Sequence, residues 1–276
     1  MESDHIFNKH TLVKLNSEID VYTNNRPFSH AVIDDFFTKD VASYLFDNFP
    51  LMEEMPNIFN EPMSFKGQLS DIDGKWPKFS KIFEILQSED FRIKISKLTG
   101  IPDLLPDPYL AGGGLHQSPK SGFLDIHVDA NFHPFNKTLH RRVNIIIYVN
   151  RNWESSWGGA LELWSDKNNR PHLLEGSIFP QFNRAVIFST TRNSWHGVAP
   201  VNCPENESRK SLALYYYTVS RPFSEQYSDS SVIWMSKSSK IKQLLYPFLN
   251  FLIRILKPYS KFIRRKNIFD SIDNKN

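Results

Sequence analysis

Six short runs of apolar or alternating residues lie between residues 109 and 218, and they constrain the fold more than any other feature. Residues that favour turns, chiefly Gly, Pro, Asn and Asp, separate the runs, a pattern typical of an all-β domain. The runs are 122–129, 142–149, 159–164, 177–179, 185–189 and 211–218. Strands at this spacing predict a sandwich or barrel of the jelly-roll and cupin type.

The chain before these runs has a different pattern. Residues 1–25 are polar and predict an N-terminal extension, whereas a short strand beginning at Arg26 leads to a helix for which Thr38 is a suitable N-cap. Proline and glycine recur over 50–77 and predict an irregular segment. Apolar residues at helical spacing over 82–98 predict one or two helices that support the sheet.

The predicted organisation is therefore one main domain with two appendages. The domain covers 26–222, with helical support over 38–100 and a β core over about 105–222, and a tail follows over 223–276. A chain of 276 residues with 40% hydrophobic content can bury a core of this size.

Charge and cysteine content narrow the partners and the compartment. Lys and Arg number 33 and Asp and Glu number 30, so the net charge of +3 implies no broad field for nucleic acid. Cys203 is the only cysteine, which excludes an internal disulfide. The first residues lack the basic and apolar regions of a signal peptide. These features predict a cytoplasmic protein without a nucleic-acid partner.

The first run contains a pair of metal-binding side chains. Polar and apolar residues alternate over 122–131, so His127 and Asp129 should project from the same face of a strand. Such a pair is two thirds of a 2-His-1-carboxylate triad, which leaves positions open on Fe(II). His196, after the apolar run at 185–188, is the best candidate for the third ligand. Taken alone, a His-x-Asp pair is also compatible with ordinary surface chemistry.

Further motifs follow one another in a particular order. They are PFSHAVIDDF at 27–36, GFLDIHVD at 122–129, RVNIIIYVN at 142–150, Trp153 with WGGALELW at 157–164, NRAVIF at 183–188, His196-Gly197 and RKSLALYYY at 209–217. In this order they resemble the 2-oxoglutarate- and Fe(II)-dependent dioxygenases of the prolyl-4-hydroxylase-like group, over about 26–222. The resemblance implies a mainly β fold with flanking α-helices, built on a double-stranded β-helix.

The resemblance also implies roles for individual residues. It makes His127, Asp129 and His196 the ligands of Fe(2+), and these three residues the catalytic set. It implies 2-oxoglutarate as co-substrate and L-ascorbate as an additional cofactor. The implied reaction is hydroxylation of an unactivated C–H bond by dioxygen, with release of succinate and CO2.

The same resemblance assigns the co-substrate contacts. Arg209 would bind the distal carboxylate of 2-oxoglutarate, with Tyr148 as a hydrogen-bond partner, and a guanidinium suits a carboxylate because it forms two parallel hydrogen bonds. Lys210 is the rival of Arg209, but adjacent strand residues face opposite ways, so only one can point inward. Ser211 shares a face with Arg209 and either adds a hydroxyl group or packs between strands.

The substrate and the functional class both stay open at this point. A prolyl residue, another peptidyl group or a small organic molecule all suit the reaction. Gln117 and Asn131 are candidate substrate contacts, while His116 and His133 are loop histidines or substrate contacts. The alternative function is a non-catalytic, cupin-like metal-binding or sensor protein, and an intact triad with its Arg209 anchor argues against it.

The tail has its own pattern. Residues 236–266 are basic, with apolar residues at helical spacing, and Pro247 and Pro258 should divide the helix. Polar residues interrupt the apolar run, so it is too short to span a bilayer. A helix packed on the domain or in a dimer is one interpretation. A helix lying on the membrane surface, with peripheral membrane association, is the other.

Overall fold

A curved antiparallel sheet forms the scaffold of the computed structural model, which describes residues 3–17, 19–72, 74–225 and 232–235. The strands within these ranges are β1 (His30–Ile33), β2 (Asn57–Glu61), β3 (Ser64–Leu69), β4 (Gly114–Ser118), β5 (Phe123–Val128), β6 (His140–Tyr148), β7 (Leu161–Asp166), β8 (Pro171–Ile178), β9 (Arg184–Ser189), β10 (Trp195–Val198), β11 (Arg209–Thr218) and β12 (Ile233–Met235). Their order is β1-β9-β6-β11-β4-β3-β5-β10-β7-β8, with β2 beside β3 and β12 beside β5. The predicted fold class is confirmed, and each of the six predicted runs overlaps a strand.

Two faces of the sheet have different roles. On β11, Leu212, Leu214 and Tyr216 belong to the main hydrophobic core that the helices complete. Arg209 and Ser211 alternate with them and line a cavity on the other face. The period of two along a strand therefore separates a face that packs in the core from a face that lines a cavity.

The helices are α1 (Lys9–Ser17), α2 (Ile19–Asn24), α3 (Lys39–Asp47), α4 (Pro77–Gln87) and α5 (Glu89–Thr99). Thr38 precedes α3 at the N-cap position, as predicted, although its side chain makes no capping hydrogen bond. Helix α4 begins with Pro77, whose fixed φ suits a first turn. The hydroxyl of Ser88 accepts a hydrogen bond from the Phe91 amide and caps α5. Gly100 ends α5 with a φ of 70°, a conformation that costs glycine little.

Residues 5–16 and 19–25 differ from the predicted extension because they contribute side chains to the core of the domain. Leu15 and Tyr22 are fully buried in the main core, and the Tyr22 hydroxyl lies 2.8 Å from the hydroxyl of Ser189. The Phe7 ring stacks on that of Phe91, with centroids 5.0 Å apart. The polar composition hid this packing, since a short helix needs only a few inward apolar residues to dock.

The prediction of an irregular segment over 50–77 is wrong in its middle. Strands β2 and β3 form a hairpin there, and β3 continues the sheet by pairing with β4 and β5. Pro56 precedes β2 and Pro62 lies in the turn, so neither proline removes a hydrogen bond from the ladder. Two of the prolines that suggested irregularity therefore lie at strand ends.

The predicted tail helix over 236–266 lies outside the described residues, so its packing and its membrane contact stay predictions, as does the domain boundary at 222. Within the described ranges, each helix is too short or too polar to cross a bilayer.

Replacing Leu15 by alanine tests whether the N-terminal helices are part of the domain. Because Leu15 is 0% exposed, we expect Leu15→Ala to lower the free energy of unfolding by about 2–5 kcal/mol. Val13 on the same helix is 64% exposed, so Val13→Ala should change it by less than about 0.5 kcal/mol. Chemical denaturation measures both values, and equal small effects would show that α1 does not contribute to the core.

Candidate active site

The pairing of β5 with β10 brings two histidines to one point. His127 and His196 are directly opposite each other in the register, and their ring centroids are 4.3 Å apart. Asp129 follows β5 on the same face as His127. The Asp129 carboxylate oxygens lie 3.7 Å from Nε2 of His127 and 3.9 Å from Nε2 of His196. All three side chains are buried, so the sequence-predicted triad is assembled in one place.

Both imidazole rings present a lone pair to the centre of this triad. Nδ1 of His127 lies 2.9 Å from the carbonyl oxygen of Asp125, and Nδ1 of His196 lies 2.9 Å from that of Ser194. A carbonyl oxygen can only accept, so each Nδ1 carries the proton and each Nε2 is free to coordinate. Burial, helped by repulsion from His196, lowers the pKa of His127 to about 3. His127 is therefore neutral at physiological pH.

Asp129 is held as a carboxylate by neighbours that sequence reasoning missed. Burial raises its pKa, but Arg141, the two histidines and Asn144 together outweigh that effect and lower it. Nη1 of Arg141 lies 3.3 Å from Oδ1 of Asp129, and Nδ2 of Asn144 donates to Oδ2 at 3.3 Å. Asn144 lies on the same face of β6 as Tyr148, but no local pattern marks it as a partner of Asp129.

This donor set fits Fe(II). It consists of two imidazole nitrogens and one carboxylate, whose ligand atoms all lie within 4.8 Å of one another. Such a set occupies one face of an octahedral ion and leaves positions open for a co-substrate and dioxygen. His127, Asp129 and His196 are thus suited to hold the metal.

A second charged group lies in the same cavity. Arg209 is buried, its Nε donates to the carbonyl oxygen of Gly159 at 2.8 Å, and its Nη2 donates to the Tyr148 hydroxyl at 3.1 Å. Gly159 has a φ of 70°, and a Cβ there would lie only 3.2 Å from Cδ of Arg209. Within the described ranges, Arg209 makes no ion pair with a carboxylate. Because a buried cation without a counter-ion is costly, this arrangement suits an anionic ligand.

The other predicted co-substrate residues surround Arg209. Ser211 pairs with Tyr148 across β11 and β6 and lines the cavity, whereas the Tyr148 ring lies 4.8 Å from the Arg209 guanidinium carbon. Burial raises the pKa of Tyr148, and Arg209 partly offsets that effect. Lys210 points to the opposite face, where its Nζ lies 5.3 Å from the centre of the Phe46 ring.

The four candidate substrate contacts lie in different surroundings, and His116 is the one that lines the cavity. His116 lines the cavity, and its buried Nε2 has no hydrogen-bond partner in the described structure. Gln117 instead faces the other side of β4, where it donates to the Ser208 hydroxyl at 2.7 Å. His133 binds Asp107 at 3.2 Å, so it joins two loops. Asn131 is buried, and its carbonyl oxygen accepts a hydrogen bond from the Arg141 amide.

Two further residues at the site were missed because they lie on strands that the sequence pattern did not predict. Lys66 on β3 lines the cavity. Trp234 on β12 pairs with His127 in the register, and the two ring centroids are 4.8 Å apart. Neither residue belongs to a motif with a recognisable spacing.

Fold and site together describe a double-stranded β-helix protein with two buried histidines and one buried aspartate that are suited to hold a metal ion. Residues 113–217 match the sequence model of the 2OG-Fe(II) oxygenase superfamily. Over this stretch the chain is similar to the superfamily, and the curated proteins that resemble it are prolyl hydroxylases.

Curated relatives extend the likeness along the chain. Prolyl 3-hydroxylase OGFOD1 of Mus musculus is 26% identical over 229 residues, which are 81% of this chain and 39% of that protein. The Xenopus laevis protein of the same name is 26% identical over 231 residues, 81% of this chain and 42% of its own length. The chain thus spans about two fifths of the curated relatives it matches.

Solved structures share the fold. A prolyl 4-hydroxylase from Phytophthora capsici has a TM-score of 0.53 at 20% identity, covering 92% of this chain and 76% of its own. A prolyl-4-hydroxylase from Pseudomonas putida has a TM-score of 0.50 at 17% identity, covering 73% of this chain and 97% of its own. A Trichoplax adhaerens prolyl hydroxylase was solved with a peptide fragment of the hypoxia inducible factor oxygen degradation domain. It has a TM-score of 0.51 at 17% identity, covering 75% of this chain and 90% of its own.

Removing any one ligand should abolish tight metal binding. We expect His127→Ala, Asp129→Ala and His196→Ala each to reduce the affinity for Mn(II), used as a redox-stable substitute for Fe(II), by at least about a hundredfold, because each deletes one of three ligands. Titration calorimetry measures the affinity. His172→Ala, an exposed change, is the matched control and should bind like the wild type. Wild-type affinity in one of the three variants would exclude that residue from the metal site.

Proposed function

We propose that this chain is a 2-oxoglutarate- and Fe(II)-dependent dioxygenase that hydroxylates a prolyl residue in a peptide or protein. The observation that carries the proposal is the combination of two features in one cavity. One is the buried triad of His127, Asp129 and His196, and the other is the buried guanidinium of Arg209, which makes no ion pair within the described ranges. The first feature suits Fe(II), and the second suits a dicarboxylate whose other end reaches the metal.

In the proposed reaction, the two atoms of O2 enter different molecules. One oxygen atom of O2 enters the substrate and converts a C–H bond to C–OH. The other enters 2-oxoglutarate, whose bond between C1 and C2 breaks to release CO2 and succinate. Fe(II), when bound, supplies the activation of dioxygen that side chains cannot provide. L-ascorbate is the proposed reductant that keeps the metal in the Fe(II) state.

The protein contributes position, charge and exclusion of water. His127, Asp129 and His196 would hold the metal on one face, while Arg209 would orient the co-substrate through its distal carboxylate. Apolar residues form much of the remaining cavity wall and keep water from the reacting atoms: Leu124, Ile146, Leu161 and Val198.

The proposed substrate rests on the relatives. Two curated relatives are prolyl 3-hydroxylases, and one fold neighbour is a prolyl hydroxylase solved with a peptide fragment. A peptidyl proline is the simplest substrate consistent with these names. A cupin-like protein without turnover is disfavoured, because such a protein has no need of a buried cation opposite a complete set of metal ligands.

Turnover tests the proposal directly. Purified protein with Fe(II), 2-oxoglutarate, ascorbate and a pool of proline-containing peptides should form succinate and add one oxygen atom to a prolyl residue, as detected by mass spectrometry. The same pool with proline replaced by alanine is the control. Metal-dependent binding of 2-oxoglutarate without oxygen transfer to any peptide or small molecule would instead support the sensor alternative.

Replacing Arg209 tests the co-substrate anchor. Losing a charge-assisted contact costs about 1.5–3 kcal/mol, so Arg209→Met should raise the apparent KM for 2-oxoglutarate about ten- to a hundredfold. Lys210→Met is the matched control, because the Lys210 side chain lies on the other face of β11 beside Phe46. Initial rates of succinate formation measure both. A large effect of Lys210→Met with none of Arg209→Met would contradict the assignment.

A further inference from the structure

The cavity contains a second cation for which the reaction described so far has no use. Lys66 lies on β3, on the cavity face, since Gln68 two residues later pairs with His116, which also lines the cavity. The aromatic ring of Phe59 is 5.7 Å from the Lys66 ammonium. Among the described residues, that ammonium has neither a hydrogen bond nor an ion pair. A lysine that lines a cavity without a counter-ion is suited to bind an anion that enters the cavity.

Lys66 shares its cavity with the other charged groups of the site. It lines the same cavity as His127, Asp129 and Arg209. Withdrawal from water lowers the pKa of Lys66 to about 8, while attraction to Asp129 opposes that effect and repulsion from Arg209 adds to it. Lys66 therefore lies within electrostatic reach of both ends of the proposed co-substrate site.

We propose that Lys66 is a second cationic contact for 2-oxoglutarate, directed at the carboxylate next to the keto group. This inference rests on the proposed function. The co-substrate carries two carboxylates, and Arg209 with Tyr148 accounts for the distal one only. A divalent metal at the triad would repel both Lys66 and Arg209 unless an anion of two charges lay between them. A dicarboxylate of this kind meets that requirement.

The neighbouring His116 supports the same assignment. Burial lowers its pKa well below the ordinary value, and the charges of Lys66 and Arg209 add to that effect. His116 is therefore neutral; it lines the same cavity as Lys66, and its buried Nε2 has no hydrogen-bond partner among the described residues. The cavity that contains the triad and Arg209 is thus also lined by one lysine and one neutral imidazole.

Ligand binding to the Mn(II)-loaded protein tests the role of Lys66 without turnover. Titration calorimetry would compare 2-oxoglutarate with 2-oxobutyrate, which keeps the keto acid but lacks the distal carboxylate. We expect Lys66→Met to weaken binding of both ligands by roughly ten- to a hundredfold. Arg209→Met should weaken binding of 2-oxoglutarate only. Lys66→Arg should restore part of the lost affinity.

Three controls separate the possible results. The Mn(II) affinity and the melting temperature of Lys66→Met should match those of the wild type, and Lys210→Met should bind both ligands normally. Wild-type affinity of Lys66→Met for both ligands would overturn this inference and leave the proposed function intact. A loss confined to 2-oxoglutarate would overturn the assignment to the carboxylate beside the keto group. Failure of the wild-type protein to bind 2-oxoglutarate at all would overturn both.

Discussion

The placement of His127 directly opposite His196 in the antiparallel pair of β5 and β10 is the constraint on which the site depends. Directly opposed residues on one face are close enough for their side chains to converge. Asp129 joins them because it follows His127 by two positions on the same face. A shift of one residue in this register would move His196 to the other face and remove a ligand.

The same alternation organises the rest of the cavity. On β11 it directs Arg209 inward and leaves Lys210 on the helix-covered face, where Phe46 lies. On β6 it places Asn144 and Tyr148 on the cavity side. Asn144 donates a hydrogen bond to Asp129, and the Tyr148 hydroxyl accepts one from Arg209. The helices bury the opposite face, so the strands that carry the polar side chains are fixed by an apolar core. Residues that line the cavity and residues that pack in the core thus alternate along the same strands.

Sequence reasoning reached the parts of this arrangement that follow from local periodicity. The period of two over 122–131 was sufficient to place His127 and Asp129 together. His196 and Arg209 lie far away along the chain, and only the ordered motifs of a known family connected them to that pair. Asn144 and Arg141 were missed because their contacts with Asp129 depend on which strands become neighbours, which no local pattern specifies. Lys66 was missed because prolines at hairpin ends resemble prolines in irregular chain.

The most direct test of this account is a crystal structure of the protein with Mn(II) and 2-oxoglutarate bound in the absence of turnover. The account predicts one metal ion coordinated by Nε2 of His127, the Asp129 carboxylate and Nε2 of His196, with the distal carboxylate of 2-oxoglutarate on Arg209. A metal ion bound elsewhere, or a 2-oxoglutarate molecule that makes no contact with Arg209, would contradict it.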